Sequence, residues 1–236
     1  MIFLKSSNVL FLKPKKTAGT SFEIALSRFA EKDDIITPIS NVDENTRRTL
    51  GFPTCQNYLK RPREYTPKDV VNLLRKGIQP KKYYNHIGAA KMRRRLGREV
   101  FDAAYKVSIV RNPFDMIVSL YFWKTRHEEE RPSLQAWVKR NKSVLRRYMD
   151  QYYLNGKDVI DFYIRFENFE PDILELESQV PALKGLWSTF HSINAKGNIR
   201  PQKTTPASIL SDQPEVKQMI HAIFGDLIER FDYQLR

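Results

Sequence analysis

The chain has 236 residues, and 41% of them are hydrophobic, which is enough for one α/β domain with a buried core and excludes an intrinsically disordered chain. The 40 lysines and arginines exceed the 27 aspartates and glutamates, and this formal charge of +13 indicates an anionic partner: nucleic acid, acidic glycan, anionic lipid or a phosphorylated cofactor. The single cysteine, Cys55, excludes an intramolecular disulfide and favours a reducing compartment. The apolar runs near the N-terminus are too short for a signal sequence or a membrane span, so we expect a cytoplasmic protein with residues 1–236 in one domain.

The first predicted element is a buried strand over residues 8–12, which runs into the loop KPKKTAGTS. Lys16 precedes Gly19, whereas in a Walker A loop the lysine follows the second glycine. A lysine, a glycine and hydroxyls between a strand and a helix N-terminus are still typical of a phosphate-binding loop. The segment TSFE (20–23) fits a capping box, so we expect the helix to open there with Glu23 bonded to the N-cap.

A second strand-to-helix junction is predicted later in the chain. The run Tyr105–Val110 is rich in β-branched residues and predicts a buried strand that ends at Arg111. Asn112 suits the N-cap and Pro113 the first turn of the next helix, which also carries Ser119. In a parallel sheet both junctions lie at the carboxyl edge, so the two sites together would suit a ligand with two separated anionic ends.

Apolar periodicity and capping residues predict the other elements. Residues 31–85 are predicted to contain loops and short helices, and residues 180–206 to be largely loop. Alternation of strands and helices favours a largely parallel sheet. The remaining predictions are helices over Pro67–Lys76, Ala89–Leu96, 137–153, 170–179 and 213–231, and a strand over 160–166.

The sequences of both junctions resemble motifs of a known protein family. LKPKKTAGTSFE resembles the 5′-phosphosulfate loop of sulfotransferases, P-K-T-x-G-T-[ST], and SIVRNPFDMIVSLYFW resembles their 3′-phosphate motif, R-[DN]-P-x-[DE]-x-x-x-S-x-Y. The segments FYIRFENFEPDI and ERFDY are similar to further family patterns. The chain looks closest to the carbohydrate sulfotransferases, including the heparan sulfate 2-O-sulfotransferase group and bacterial relatives. Lys15, where the family usually has proline, and Met116, where many relatives have arginine, depart from the pattern.

The resemblance implies a P-loop-like, three-layer α/β domain whose central parallel sheet is flanked by helices. It also implies an enzyme that transfers the sulfuryl group of 3′-phosphoadenosine 5′-phosphosulfate (PAPS) to an acceptor hydroxyl and releases adenosine 3′,5′-bisphosphate (PAP). By motif, Lys16 would stabilise the leaving oxygen, Arg111 and Ser119 would hold the 3′-phosphate, and Arg200 would lie in a segment that closes over the nucleotide. The 5′-phosphate would be contacted by Lys16, Thr17, Ala18, Gly19, Thr20 and Ser21.

The base that removes the acceptor proton is predicted to be His86, because an imidazole with a pKa of about 6.5 suits this role at neutral pH. A histidine stands in a similar stretch of the 2-O-sulfotransferase relatives, and Glu23 is the carboxylate alternative. No metal is expected, since the sequence has no ligand cluster with metal-binding spacing. The acceptor is expected to be a glycan or another small molecule, with residues 31–85 shaping its cleft.

Two other functions remain open at this point. A P-loop nucleotide kinase would explain the loop, but the G-K-[ST] ending and a clear magnesium-binding aspartate are missing. A nucleic-acid-binding protein would explain the positive charge, but it would explain neither the hydroxyl-rich loop nor the second junction. We therefore expect no nucleic acid partner and no membrane span.

Overall fold

The computed structural model describes residues 1–193 and 205–235. Its strands are β1 (Ile2–Leu4), β2 (Val9–Phe11), β3 (Ile35–Ile36), β4 (Tyr105–Val110), β5 (Tyr153–Leu154), β6 (Lys157–Asp158) and β7 (Phe162–Arg165). Its helices are α1 (Gly19–Ser27), α2 (Asn41–Thr49), α3 (Pro67–Lys76), α4 (Ala89–Leu96), α5 (Arg98–Ala103), α6 (Pro113–Lys124), α7 (Leu134–Arg146), α8 (Phe169–Gln179), α9 (Leu186–Ser192), α10 (Pro206–Leu210) and α11 (Pro214–Arg230). Short 3₁₀ turns lie at 62–64, 149–151, 166–168 and 181–183.

The main sheet has five strands in the order β3-β1-β2-β4-β7. The central pairs β2–β4 and β4–β7 are parallel, with Phe11 opposite Val107 and Ile109 opposite Ile164. The strands β1 and β3 are antiparallel to their neighbours and extend the sheet at one edge. The sheet is therefore mixed, and only the part formed by β2, β4 and β7 has the parallel arrangement that the sequence predicted.

Helices cover both faces of this sheet, because successive strand residues alternate between two separate cores. Leu10 and Val110 point into a core formed with α4, α6, α7 and α11. Phe11 and Ile109 point into a second core formed with α1, α8 and α9. The protein is thus an α/β domain with helical layers on either side of a mixed sheet.

No helix in the described part of the chain combines the length and apolarity that a bilayer crossing requires.

Most predicted elements are confirmed with small shifts of their ends. The helix Pro67–Lys76 has the predicted cap, since the Thr66 hydroxyl accepts a hydrogen bond from the Asp69 N–H and Gly77 ends the helix in a left-handed conformation. Asn112 likewise caps α6 through the Phe114 N–H. These ends are specified locally, which is why the sequence predicts them well.

Other predictions were wrong. The N-terminal run, which was assigned no element, forms β1 of a hairpin with β2. The helix predicted over 137–153 starts earlier and ends at Arg146, where the chain turns into a small two-stranded sheet. The predicted loop 180–206 contains α9, whose Leu186 is fully buried. The hairpins β1–β2 and β5–β6 are short and pair locally, whereas Leu186 of α9 packs in a core with residues far away in the sequence.

The capping box predicted at the start of α1 is also wrong. The N-cap of α1 is Ala18, it has φ 54°, and no side chain caps this end. Glu23 is fully buried instead, and its carboxylate pairs with the Met1 amino group at 2.9 Å, the Lys13 ammonium at 2.6 Å and the Arg47 guanidinium at 3.5 Å. The Thr37 hydroxyl donates a further hydrogen bond to it at 3.3 Å. Glu23 is therefore the centre of a buried ion cluster and not an end cap.

This ion cluster shifts the pKa values of its members in opposite directions. Burial alone would raise the pKa of Glu23, but the charges of Lys13, the Met1 amino group and Arg47 hold it well below its usual range. Burial lowers the pKa of the Met1 amino group to about 6, against the favourable charge of Glu23. Because Lys13 begins the predicted phosphate-binding loop, the cluster anchors that loop to β1, α1 and α2.

We predict that Glu23→Gln lowers the free energy of unfolding by about 3–5 kcal/mol, because it leaves buried cations without their counter-charge. The matched control is Asp102→Asn, which removes the carboxylate of the exposed Arg93 pair and should change stability little. Urea unfolding of both variants measures the difference. A loss of only about 1 kcal/mol for Glu23→Gln, as a simple end cap would give, would contradict the ion-cluster assignment.

Candidate functional site

The two predicted junctions meet at one edge of the sheet. The parallel strands β2, β4 and β7 all end there, and the Ser108 hydroxyl donates to the Leu12 carbonyl at 2.7 Å to hold the first two ends together. The Arg111 guanidinium, at the end of β4, donates from Nη1 to the Lys16 carbonyl at 2.7 Å. The basic groups of both motifs therefore belong to a single site.

The loop that follows β2 has an unusual backbone. Lys16 has φ 62° and Ala18 has φ 54°, a left-handed conformation that side chains other than glycine rarely adopt. Alternation of left- and right-handed residues turns successive N–H groups towards one point, where an anion can bind. Strain of this kind in a loop is typical of ligand-binding positions.

The start of α1 adds further hydrogen-bond donors. The first bond within the helix is from the Phe22 N–H to the Ala18 carbonyl at 3.3 Å, so the N–H groups of Gly19, Thr20 and Ser21 precede the helical ladder. The Thr17 side chain is fully buried, and its hydroxyl has no hydrogen-bond partner among the described residues. Buried hydroxyls are almost always bonded, so this one indicates a ligand or a water at the loop.

The lack of a side chain at Gly19 has a structural reason as well as the predicted functional one. A Cβ at this position would lie 3.0 Å from the Cγ of Lys13 and 3.6 Å from the Pro14 carbonyl. The missing side chain therefore lets the buried Lys13 stem pass under the loop to reach Glu23. The sequence interpretation, close approach of the backbone to a phosphate, overlooked this packing role.

One face of helix α6 faces the loop. Asp115, Ser119 and Trp123 recur at helical spacing along it, as the sequence predicted. Asp115 accepts from the Arg111 Nε at 2.6 Å, and the Lys16 ammonium lies 4.6 Å from the centre of the Trp123 ring. Ser119 lies between these two contacts, which places its half-buried hydroxyl on the side of Lys16 and Arg111.

The end of β7 contributes residues that the sequence did not assign to the site. The Arg111 guanidinium stacks on the Phe166 ring at 4.0 Å, and the Asn112 N–H donates to Glu167 at 2.7 Å. The amide side chain of Asn112 also donates to the Gln234 carbonyl at 2.7 Å. Arg111 is thus held from several sides. The motif FYIRFENF was the available signal, but its contact with Arg111 follows only from the parallel pairing of β4 and β7.

His86 lies against the root of the loop. Its Nδ1 is 3.1 Å from the Lys13 carbonyl, and a carbonyl only accepts, so Nδ1 carries the hydrogen and Nε2 the lone pair. Burial, and then the charge of Lys13, lower the pKa of His86 to about 3. The imidazole is therefore neutral at neutral pH, but it is a much weaker base than the pKa of about 6.5 on which the sequence prediction of a general base depended.

Of the remaining predicted site residues, the structure describes Thr20 and Ser21 but not Arg200. Thr20 and Ser21 lie in the first turn of α1. Arg200, with Lys196 and Lys203, lies outside the described residues, so its predicted contact with the nucleotide stays a prediction. Within residues 1–193 and 205–235, no group of three or more histidine, cysteine, aspartate or glutamate side chains could hold a metal ion.

No protein-family model, curated protein or solved structure matches this chain. The interpretation of the site depends on its own geometry. That geometry combines a strained, N–H-rich loop, a lysine and an arginine joined through the loop backbone, and a neutral imidazole at the loop root. Such a site suits a doubly anionic ligand, with a neutral imidazole at the root of the loop.

We predict that the shifted pKa of His86 makes stability depend on pH. Between about 6.5, the ordinary histidine pKa, and about 3, the folded value, the unfolded chain binds the proton more tightly, so stability falls as the pH is lowered through this window. His86→Gln should reduce the decrease in unfolding free energy between pH 7 and pH 5. His127→Gln, which removes an exposed imidazole, is the control. If the unfolding free energy depends on pH equally in the wild type and in His86→Gln, the lowered pKa of His86 is contradicted.

Proposed function

We propose that this protein is a sulfotransferase that moves the sulfuryl group of PAPS to an acceptor hydroxyl, on a P-loop-like arrangement of β2, its loop and α1. The observation that carries the proposal is the 2.7 Å hydrogen bond from Arg111 to the Lys16 carbonyl. It joins the two segments that resemble the 5′-phosphosulfate loop and the 3′-phosphate motif of sulfotransferases. A donor with phosphates at both positions needs two such segments side by side.

The residues present fit this donor. The unpartnered Thr17 hydroxyl and the first-turn N–H groups of Gly19, Thr20 and Ser21 offer donors for a 5′-phosphate at a helix N-terminus. Arg111, at the end of β4, and Ser119, on the following helix α6, would bind the 3′-phosphate. A triphosphate would use the loop but leave the second segment without a role, so the kinase alternative is the weaker one.

In the proposed reaction the acceptor oxygen forms a bond to sulfur while the bond from sulfur to the 5′-phosphate oxygen breaks. Lys16 would neutralise the charge that grows on this leaving oxygen, and preorganised cations of this kind give large rate effects. Nε2 of His86 would take the hydroxyl proton. The folded pKa of about 3 reflects burial and the nearby cations Lys13, Met1 and Lys15, and a bound anionic donor would offset those charges and raise it.

The acceptor hydroxyl is proposed to belong to a carbohydrate. The family resemblance supports this class, and the single cysteine supports a cytoplasmic setting. Residues 31–85 stay the predicted boundary of the acceptor cleft. The chain reaches the site just after this range, since His86 contacts the loop and Ile87 is fully buried in the adjacent core.

The donor assignment predicts selective stabilisation. PAP should raise the melting temperature of the protein, while ATP at the same concentration and ionic strength should raise it much less, because ATP has no 3′-phosphate for Arg111. Lys16→Ala should reduce the PAP-dependent shift, and Lys32→Ala, which removes an exposed lysine, should not. Equal shifts with ATP would favour a kinase. Tight DNA binding that weakens steeply with salt concentration, together with no change of the melting temperature by PAP, would favour a nucleic-acid-binding protein.

Activity tests the catalytic roles. With radiolabelled sulfate donor and a panel of saccharide acceptors, Lys16→Ala should lower kcat by roughly 10²–10³, the usual effect of removing one group that stabilises a growing negative charge. His86→Ala should lower kcat without weakening PAP binding. If Lys16→Ala retains wild-type turnover, the proposed mechanism is wrong.

A further inference from the structure

Helix α3 has an apolar face that is exposed. The face consists of Val70, Val71 and Leu74, with Ile78 just beyond the helix end, and Leu74 is 80% exposed. No residue of α3 is buried, and among the residues that the structure describes neither core includes one of its side chains. A helix of ten residues is marginal in water unless packing covers its apolar face. The exposed face therefore indicates a binding surface.

The segment that carries α3 is held at its base. The Lys60 N–H donates to the Pro80 carbonyl at 2.9 Å, which brings the two ends of the segment 61–79 together. The Lys60 ammonium also pairs with Asp69 at 2.6 Å, and Leu73, one turn further along α3, is half-buried. The Asp69 side of the helix thus faces the rest of the protein, and the apolar face is directed elsewhere.

Positive charges lie beside this apolar face. Lys68 and Arg75 are the i−3 and i+4 neighbours of Val71, so they border the face on the helix surface. The two carboxylates of the segment are both paired at its base, Asp69 with Lys60 and Glu64 with Lys82. In the described part of the chain, the segment's exposed basic side chains form no ion pair: Arg61, Arg63, Lys68, Arg75 and Lys76.

An apolar helix face bordered by cations is typical of helices that lie in the interface of an anionic bilayer. The apolar side chains enter the acyl boundary, while lysine and arginine extend to the lipid phosphates. With ten residues, α3 is too short to span a bilayer and could only lie on it. A groove on a protein could also cover the face, but cations spread over the whole segment favour a surface that is anionic over a wide area.

We propose that α3 docks the protein on the surface of a bilayer that contains anionic lipids. The apolar face enters the boundary between headgroups and acyl chains, and the basic side chains of segment 61–79 bind the lipid phosphates. None of these residues belongs to the site around Lys16 and Arg111, so the inference does not depend on the sulfuryl transfer proposed above. It assigns a role to a helix that contributes to neither core.

Sedimentation of the full chain with vesicles tests this inference. Vesicles of phosphatidylcholine with phosphatidylglycerol should bind the wild type, and vesicles of phosphatidylcholine alone should bind it far less. Leu74→Ser should weaken binding on the order of tenfold, the least that burial of a leucine side chain contributes. The matched control is Leu174→Ser, which replaces an exposed leucine on α8 and should leave binding unchanged. Failure of the wild type to bind the anionic vesicles, or an equal loss in both variants, would overturn the proposal.

Charge variants separate docking through α3 from general attraction of a basic chain. Lys68→Ala and Arg75→Ala should each weaken binding to the anionic vesicles roughly fivefold, the contribution of one basic residue close to an anionic membrane. Lys184→Ala removes an exposed lysine just before α9 and should leave the affinity unchanged. A similar loss in Lys184→Ala would mean that the net charge alone attracts the protein, and the assignment to α3 would be wrong.

Fluorescence quenching reports whether the apolar face enters the bilayer. In Leu74→Trp, lipids with brominated acyl chains should quench the added tryptophan, whereas Leu174→Trp should show no more quenching than the wild type. Binding to anionic vesicles without this quenching would mean that α3 stays outside the acyl boundary, and the proposal would fail. If the wild type is instead a dimer in solution that Leu74→Ser converts to a monomer, the face covers a second copy of the chain and the membrane assignment is wrong.

Discussion

Parallel pairing of β2 with β4 is the constraint on which the rest of the site depends. It brings two strand ends, and the helices that follow them, to one edge of the sheet. Arg111 can then reach the Lys16 carbonyl, and α6 can present Ser119 and Trp123 to the same loop. The antiparallel strands β1 and β3 extend the sheet on the other side and leave this edge open.

The buried cluster around Glu23 links the stability of the fold to the chemistry of the site. Glu23 fixes Lys13, the Lys13 carbonyl accepts the hydrogen bond from His86, and Gly19 leaves room for the Lys13 side chain. Burial, and then the charge of Lys13, lower the pKa of His86. Loop position and imidazole tautomer therefore follow from one ionic core, which also contributes to the low basicity of the imidazole.

Local signals explain which elements were predictable. The caps of α3 and α6 use side chains within a few residues of the helix start, so the sequence predicts both helices closely. The motif residues Lys16, Arg111 and Ser119 could be predicted for the same reason, since each motif is continuous in sequence. The capping box at 20–23 shows where this fails, because Glu23 has four distant partners that outweigh a local bond.

The sequence by itself predicted two segments that resemble anion-binding motifs, the strands and helices that carry them, and the positive charge of the chain. Only the tertiary structure decided that the segments meet at one edge of the sheet, that Phe166 stacks on Arg111, and that the Lys15 ammonium lies against the Tyr148 ring. It also decided that His86 is neutral and which of its nitrogens is basic. The physical reason is that burial, charge proximity and hydrogen-bond partners depend on residues far apart in the chain, whereas caps and loop motifs depend on neighbours.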